Sequence, residues 1–314
     1  MTTLPLLHLD GLFPPWIRWG FTTRHGGVST GPYQSLNLGW DVGDDPERVR
    51  ENHRLLAEAL AYDPETLATV RQVHGHLVHV VRRAADGRTL RGKQGDAVVL
   101  SWGLGVGLAP SERSESRGDR GLAEQGSDAP GPGPETKYQE PRTKNAPPLA
   151  ALVRTADCCP VLIASLDRPA AAVLHCGWRS TVRGLVAHTV ACLAQELADP
   201  RPPLAAAIGP CIGPDAFEVG EEVAAAFGQK VSLDVVLRRP GRAKPHIDLQ
   251  AAVRQLLIRA GVAPARIAVF PRCTVSEPDD FFSFRRDGHD AGRQAGVVSL
   301  VLSASLSASS ASQR

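Results

Sequence analysis

Short apolar runs alternate with amphipathic stretches along most of this chain. Residues 96–100, 149–154, 161–165, 171–175 and 204–208 are apolar over strand length, which predicts buried strands. Residues 70–82, 267–270, 281–284 and 297–302 are read as further strands. Helices are expected from Asp45-Pro46 to about Ala61, over residues 181–197, and over residues 248–260. Asp45 suits an N-cap and Pro46 the first helical position, where its missing N–H costs nothing. Asp248 is read as a second N-cap. The order is mixed α/β without repeated βαβ units, which disfavours a TIM barrel or a Rossmann sheet. No Gly-x-Gly-x-x-Gly opens a helix and no Walker A sequence is present.

One segment breaks the pattern. Residues 111–148 are polar, rich in Gly and Pro, dense in both charge signs and without apolar periodicity. They cannot bury enough surface to offset the entropy of ordering, which predicts a disordered surface insertion. Candidate ligands lie on both sides of it, so it reads as a loop within one domain spanning residues 1–302. The Ser/Ala-rich residues 303–314 are expected to form a flexible tail. A chain of 314 residues can bury a substantial core. A formal charge of +2, with no basic stripe, argues against a nucleic-acid partner. No apolar run is long enough to span a bilayer, and residues 1–10 lack a basic n-region and an apolar core. The expected setting is therefore the cytoplasm, with the six cysteines as reduced thiols. Oligomeric state is not legible.

Candidate chemistry sits in three short segments. His74 lies in Gln72-Val73-His74-Gly75, Cys158 in Thr155-Ala156-Asp157-Cys158-Cys159-Pro160, and His175 in Leu174-His175-Cys176-Gly177-Trp178-Arg179. Two imidazoles and a thiolate, each beside a strand run, are the ligand set of an open catalytic zinc. A structural zinc would more often show Cys-x2-Cys, which is absent. Two other readings stand beside it. Cys158 could be a nucleophile with His175 as base and Asp157 as orienter, or the three could be ordinary structural residues. A multicopper cluster needs more imidazoles, and the one His-x-His pair is His74-Gly75-His76. Arg24 beside Gly26-Gly27 suits an anion-binding turn or an ordinary tight one. The amides of residues 177–181 could receive a phosphate or an oxyanion, or Ser180 or Thr181 could simply cap a helix. Asn37 could contact a base or ribose, or serve a turn. Arg285-Arg286-Asp287 reads as a salt-bridge cluster, and Phe281, Phe282 and Phe284 as core.

As a set, the chain resembles the laccase-domain family, multicopper polyphenol oxidase-like proteins also described as purine nucleoside phosphorylases. Beyond the three segments above, the resemblance is carried by Arg24-His25-Gly26-Gly27-Val28-Ser29, Ser35-Leu36-Asn37-Leu38-Gly39, Val42-Gly43-Asp44-Asp45-Pro46, Ile208-Gly209-Pro210-Cys211-Ile212, Cys273-Thr274 and Phe282-Ser283-Phe284-Arg285-Arg286-Asp287. It implies an α/β fold, a layered α/β/β/α sandwich with mixed sheets. It implies zinc on His74, Cys158 (rather than Cys159) and His175, with copper less favoured, and substrate contacts from Arg24, Asn37 and Arg54. The implied reactions are phosphorolysis of adenosine, inosine or methylthioadenosine to base and ribose 1-phosphate, and deamination of adenosine. Some bacterial relatives are assigned instead to removing L-Ser from a UDP-muramic acid precursor. A non-enzymatic zinc-stabilised module is the remaining alternative, and it predicts a closed metal site. The chain departs from the family in residues 111–148, in Cys176 where Ala is usual, and in His53 where Arg usually follows Asn52. If that Arg binds substrate, either Arg54 takes its place or the activity is altered.

Overall fold

The computed structural model describes residues 4–102 and 147–301. The expected insertion therefore lies almost wholly outside the described residues, and the expected tail entirely so. In chain order the elements are β1 (Leu6–Leu7), β2 (Ile17–Thr22), α1 (Pro46–Leu60), β3 (Val78–Val81), α2 (Ala84–Arg88), β4 (Ala97–Ser101), β5 (Leu149–Thr155), β6 (Cys159–Ser165), β7 (Ala170–Cys176), α3 (Trp178–Val182) and α4 (Leu185–Glu196). There follow β8 (Leu204–Ile208), α5 (Glu221–Lys230), β9 (Val236–Leu237), β10 (His246–Ile247), α6 (Leu249–Arg259), β11 (Ile267–Val269), α7 (Phe284–Asp287) and β12 (Gln294–Leu300).

Two sheets carry the molecule. The larger runs β11-β8-β6-β7-β4-β3, and the smaller runs β1-β2-β12-β5. The larger is mixed, with parallel pairs at both edges and antiparallel pairs between. The smaller is antiparallel throughout. Successive side chains on a strand face opposite ways, and three cores follow from that alternation. On β6, Leu162 and Ala164 meet Val153 of β5 and Val298 of β12 between the sheets. Val161 and Ile163 of the same strand point outward under α4, α5 and α6, with Val190, Phe227 and Val253. On the far side, Ala150 and Leu152 of β5 and Val297 of β12 pack under Leu56 and Leu60 of α1. Helix, sheet, sheet, helix is the expected α/β/β/α sandwich. Because both faces of both sheets are covered, the strands read as unbroken apolar runs.

Helix α1 starts as expected: the Asp45 carboxylate accepts the Glu47 N–H at 2.9 Å, and Pro46 opens the helix. It ends at Ala61 in the left-handed conformation. Three expectations need correction. The long helix over residues 181–197 is two helices, because Gly184 at φ 86° breaks it. Of the strand over residues 70–82 only β3 forms, since a buried carboxylate takes the backbone N–H groups of residues 73–75. Residues 281–284 form no strand: Phe281 and Phe282 are buried, and Ser283 caps α7. Strand β2 and helix α5 were not anticipated.

Candidate active site

The His74, Cys158 and His175 ligand atoms lie within 4.8 Å of one another. Each is delivered differently. His175 is the penultimate residue of β7 and is buried. Cys158 sits in the turn between β5 and β6, its Sγ 3.7 Å from His74 Nε2. His74 belongs to the loop before β3 and has a left-handed backbone, φ 55°. Asp157, beside Cys158, is also left-handed at φ 93°. The other two non-glycine residues with positive φ among the described residues, Ala61 and Ala198, follow helices. A non-glycine residue in this region costs about 1–3 kcal/mol and persists only where its surroundings hold it.

What holds the His74 loop is Asp96, fully buried immediately before β4. Its carboxylate accepts the N–H groups of His74 at 2.9 Å and Gly75 at 2.7 Å. It also accepts Nδ1–H of His175 at 2.9 Å. A carboxylate can only accept, so Nδ1 of His175 carries the proton and Nε2 is left with a lone pair for a ligand. Burial alone would raise the Asp96 pKa, but the hydrogen bonds from His175 and Gly75 outweigh it and hold the group below the usual carboxylate range.

Asp157 is not the orienter of His175. Its carboxylate accepts the Thr274 hydroxyl and the Arg285 N–H, each at 2.6 Å. It holds the Cys158 turn instead. Gly177 completes the packing, since a Cβ there would lie 2.7 Å from His74 Cδ2 and 3.0 Å from Cys158 Sγ. Cys176 faces the opposite way, into the core under the helices.

Without a metal, Cys158 and His175 form a thiolate–imidazolium pair, and the His175 Nε2 lone pair becomes available when a metal displaces its proton. Burial pushes the Cys158 thiol up, but the charge and hydrogen bond of His175, joined by His74, bring it down to about 6. Burial pushes His175 down, and Cys158 and Asp96 together raise it to about 9. The donor set suits a divalent metal: one thiolate and two imidazoles, one of them with its tautomer fixed by a buried carboxylate.

The trio lines a cavity of about 480 Å³. Trp40, Trp178, Phe217 and Phe284 supply aromatic walls, and Arg71, Arg154, Arg179, Arg285 and Arg293, with Asp41 and Asp157, form the charged lining. Three sequence candidates are not brought here. The Arg24 guanidinium donates to the carbonyls of Gln34 and Pro278, each at 2.7 Å, and lies over the Phe282 ring. Fully buried Asn37 spends its amide on Asp44, Gly39 and the Arg293 N–H. Arg54 lies on the solvent face of α1, paired with Glu51 and Glu58. The Gly26-Gly27 turn is used internally as well: the Gly27 N–H goes to Ser35 Oγ and the Val28 N–H to Asn52 Oδ1. Ser180 and Thr181 cap no helix. α3 begins at Trp178 after Gly177, and both hydroxyls donate to carbonyls behind them. Asp96 and the arginines at 71, 154, 179 and 293 were missed as site residues. For Asp96 the available signal was a lone acid opening an otherwise apolar strand.

Comparison with known proteins agrees with this architecture. Residues 18–106 and 142–301 match the model of the multi-copper polyphenol oxidoreductase laccase family. The chain belongs to this family. Among its relatives is a purine nucleoside phosphorylase of Deinococcus radiodurans, 35% identical over 95% of this chain and 93% of that protein. The Escherichia coli purine nucleoside phosphorylase YfiH is 32% identical over 89% and 92%. Among solved structures, YlmD of Geobacillus stearothermophilus superposes with a TM-score of 0.71 at 27% identity, covering 93% of this chain and 94% of that one. The Neisseria meningitidis protein NMB0706 gives 0.69 at 32% identity, covering 94% and 99%. The laccase-like family thus includes relatives named as nucleoside phosphorylases. Among the described residues, the group with metal-ligand geometry is the single His74, Cys158 and His175 trio.

Proposed function

We propose that this laccase-like protein is a zinc enzyme acting on purine nucleosides, by phosphorolysis to base and ribose 1-phosphate and by deamination of adenosine. The observation that carries the reading is the His74, Cys158 and His175 trio, braced by Asp96, on the wall of an aromatic- and arginine-lined cavity. The names of the relatives supply the substrate class. A metal on that trio supplies a Lewis acid and a water of lowered pKa. The chain's own residues do the rest. Asp96 keeps the His175 lone pair directed at the site. Trp40, Trp178 and Phe284 offer flat faces for a purine. The arginines offer donors to an anion, and holding phosphate and nucleoside in register lowers the barrier without further chemistry from the protein. Zinc is favoured over copper because three nitrogen and sulfur ligands beside an open cavity form the usual catalytic zinc set.

The test is a metal assay on protein purified without added metal, joined to chromatography of adenosine with and without phosphate. About one zinc per chain, with adenine appearing only with phosphate and inosine without it, and both lost in His74→Ala, is the expected result. Stoichiometric zinc with adenosine untouched sinks the nucleoside reading and favours the muramic acid precursor amide. Protein free of metal that still turns over substrate favours a second reading, in which Cys158 attacks as thiolate with His175 and Asp96 behind it. That reading rests on the low thiol pKa and the Asp96 hydrogen bond.

A further inference from the structure

Arg154 ends a row that is otherwise core. Ala150 and Leu152, four and two residues before it on β5, pack under α1. Arg154 shares their face and pairs with Ala295 of β12. Its backbone is clamped by Gln72: the Arg154 N–H donates to Oε1 at 2.8 Å, and Nε2 donates to the Arg154 carbonyl at 2.7 Å. The half-buried side chain lines the cavity, yet its guanidinium makes no hydrogen bond or ion pair with any of the described residues. The nearby groups do not neutralise it. Arg293, two residues before Ala295, is on the same face and is itself cationic, its Nη1 held by the carbonyls of Ala291 and Gly292. His53, under Trp40, is held neutral by burial. Asp41 is exposed and makes no ion pair with it; burial and Arg293 hold the Arg154 pKa below its ordinary value, against the favourable charge of Asp41. The guanidinium of exposed Arg71 likewise makes no hydrogen bond or ion pair with the described residues.

An unpaired guanidinium withdrawn from water is costly, and a second cation beside it adds to the cost. The fold that clamps Arg154 in place gains nothing from its charge unless an anion completes the site. We propose that Arg154, flanked by Arg293 and Arg71, is the seat of a phosphoryl group in the cavity, on the α1 side of the metal trio. The inference rests on the nucleoside reading for its most direct ligand, inorganic phosphate as co-substrate. The same seat would take the phosphate of a nucleotide, since both present a tetrahedral dianion to a planar fork of donors.

The experiment is calorimetric titration of the metal-loaded full chain with inorganic phosphate and, separately, with AMP. It is run on the wild type, Arg154→Gln and Arg154→Lys, with metal content and Tm measured for each. The expected result is saturable binding to the wild type that weakens about ten- to a hundredfold in Arg154→Gln. Arg154→Lys recovers part of it, metal content is unchanged, and the KM for phosphate rises while that for adenosine holds. Loss confined to AMP supports the phosphoryl seat and counts against phosphorolysis. Phosphorolysis with an unchanged phosphate KM in Arg154→Gln, or equal binding of both probes by wild type and variant, overturns the seat and leaves the nucleoside reading standing.

Discussion

At the scale of single residues, the candidate site depends on a fully buried carboxylate. Asp96 joins the His74 loop to the His175 ring, so one substitution disturbs two ligands. Asp96→Asn keeps the size, but its amide cannot accept from three donors as the carboxylate does. Metal affinity is expected to fall about 10- to 100-fold, measured by competition with a chromophoric chelator; an unchanged affinity would refute the role. The trio was legible as a candidate because His, Cys and His in three strand-end segments form a recognisable donor set, and the fold brings their ligand atoms together. Asp96 was not, because its partners lie 20 or more positions away and only the folded loop brings them together. His53 carries a second residue-scale prediction. Burial lowers its pKa from 6.5 to about 4, so the folded state holds it neutral while the unfolded chain protonates it at higher pH. Its contribution, on the order of 3 kcal/mol, is therefore fully present above about pH 6.5 and lost as pH falls toward 4. In His53→Gln the acid limb of Tm against pH should be shallower than in the wild type. Parallel curves would mean that His53 does not titrate as its burial implies.

At the scale of elements, the apolar strands were legible because sheets covered on both faces need no polar alternation. The boundaries that failed are where the site makes demands on the backbone. Residues 70–77 have strand-like composition, but residues 73–75 surrender their N–H groups to Asp96, and Gly184 divides one amphipathic stretch into two helices. Gly177, between β7 and α3, shows how tightly the elements meet. Its φ of −75° is open to any residue, so a side chain there is excluded by contact alone. Gly177→Ala forces Cβ against His74 and Cys158. Overpacking of this kind costs about 1–3 kcal/mol. Here the two ligands are the atoms that must move, so metal occupancy and turnover should fall further than Tm. A variant that keeps its metal and activity while losing only stability would show that the trio tolerates the shift.

At the scale of the molecule, the candidate metal trio is not part of any of the three apolar cores. His74, Cys158 and His175 lie at the ends of elements, while the mass of apolar burial sits between the sheets and under the two helical layers. The sandwich should therefore stand without metal, which separates an enzyme from a zinc-stabilised module. Removing the ion with a chelator is expected to leave the far-ultraviolet circular dichroism spectrum intact and abolish turnover. Tm should fall only by the linkage to metal binding, about 2.7 kcal/mol at a hundredfold excess of metal over its Kd. Restoring zinc should restore both. The physical ground is that a folded apo-protein still holds the His74 loop through Asp96, so the site is preorganised and need not form on binding. If chelation instead collapses the spectrum cooperatively, the metal is a staple of the fold. The Asp96 clamp would then be one of its consequences rather than its scaffold.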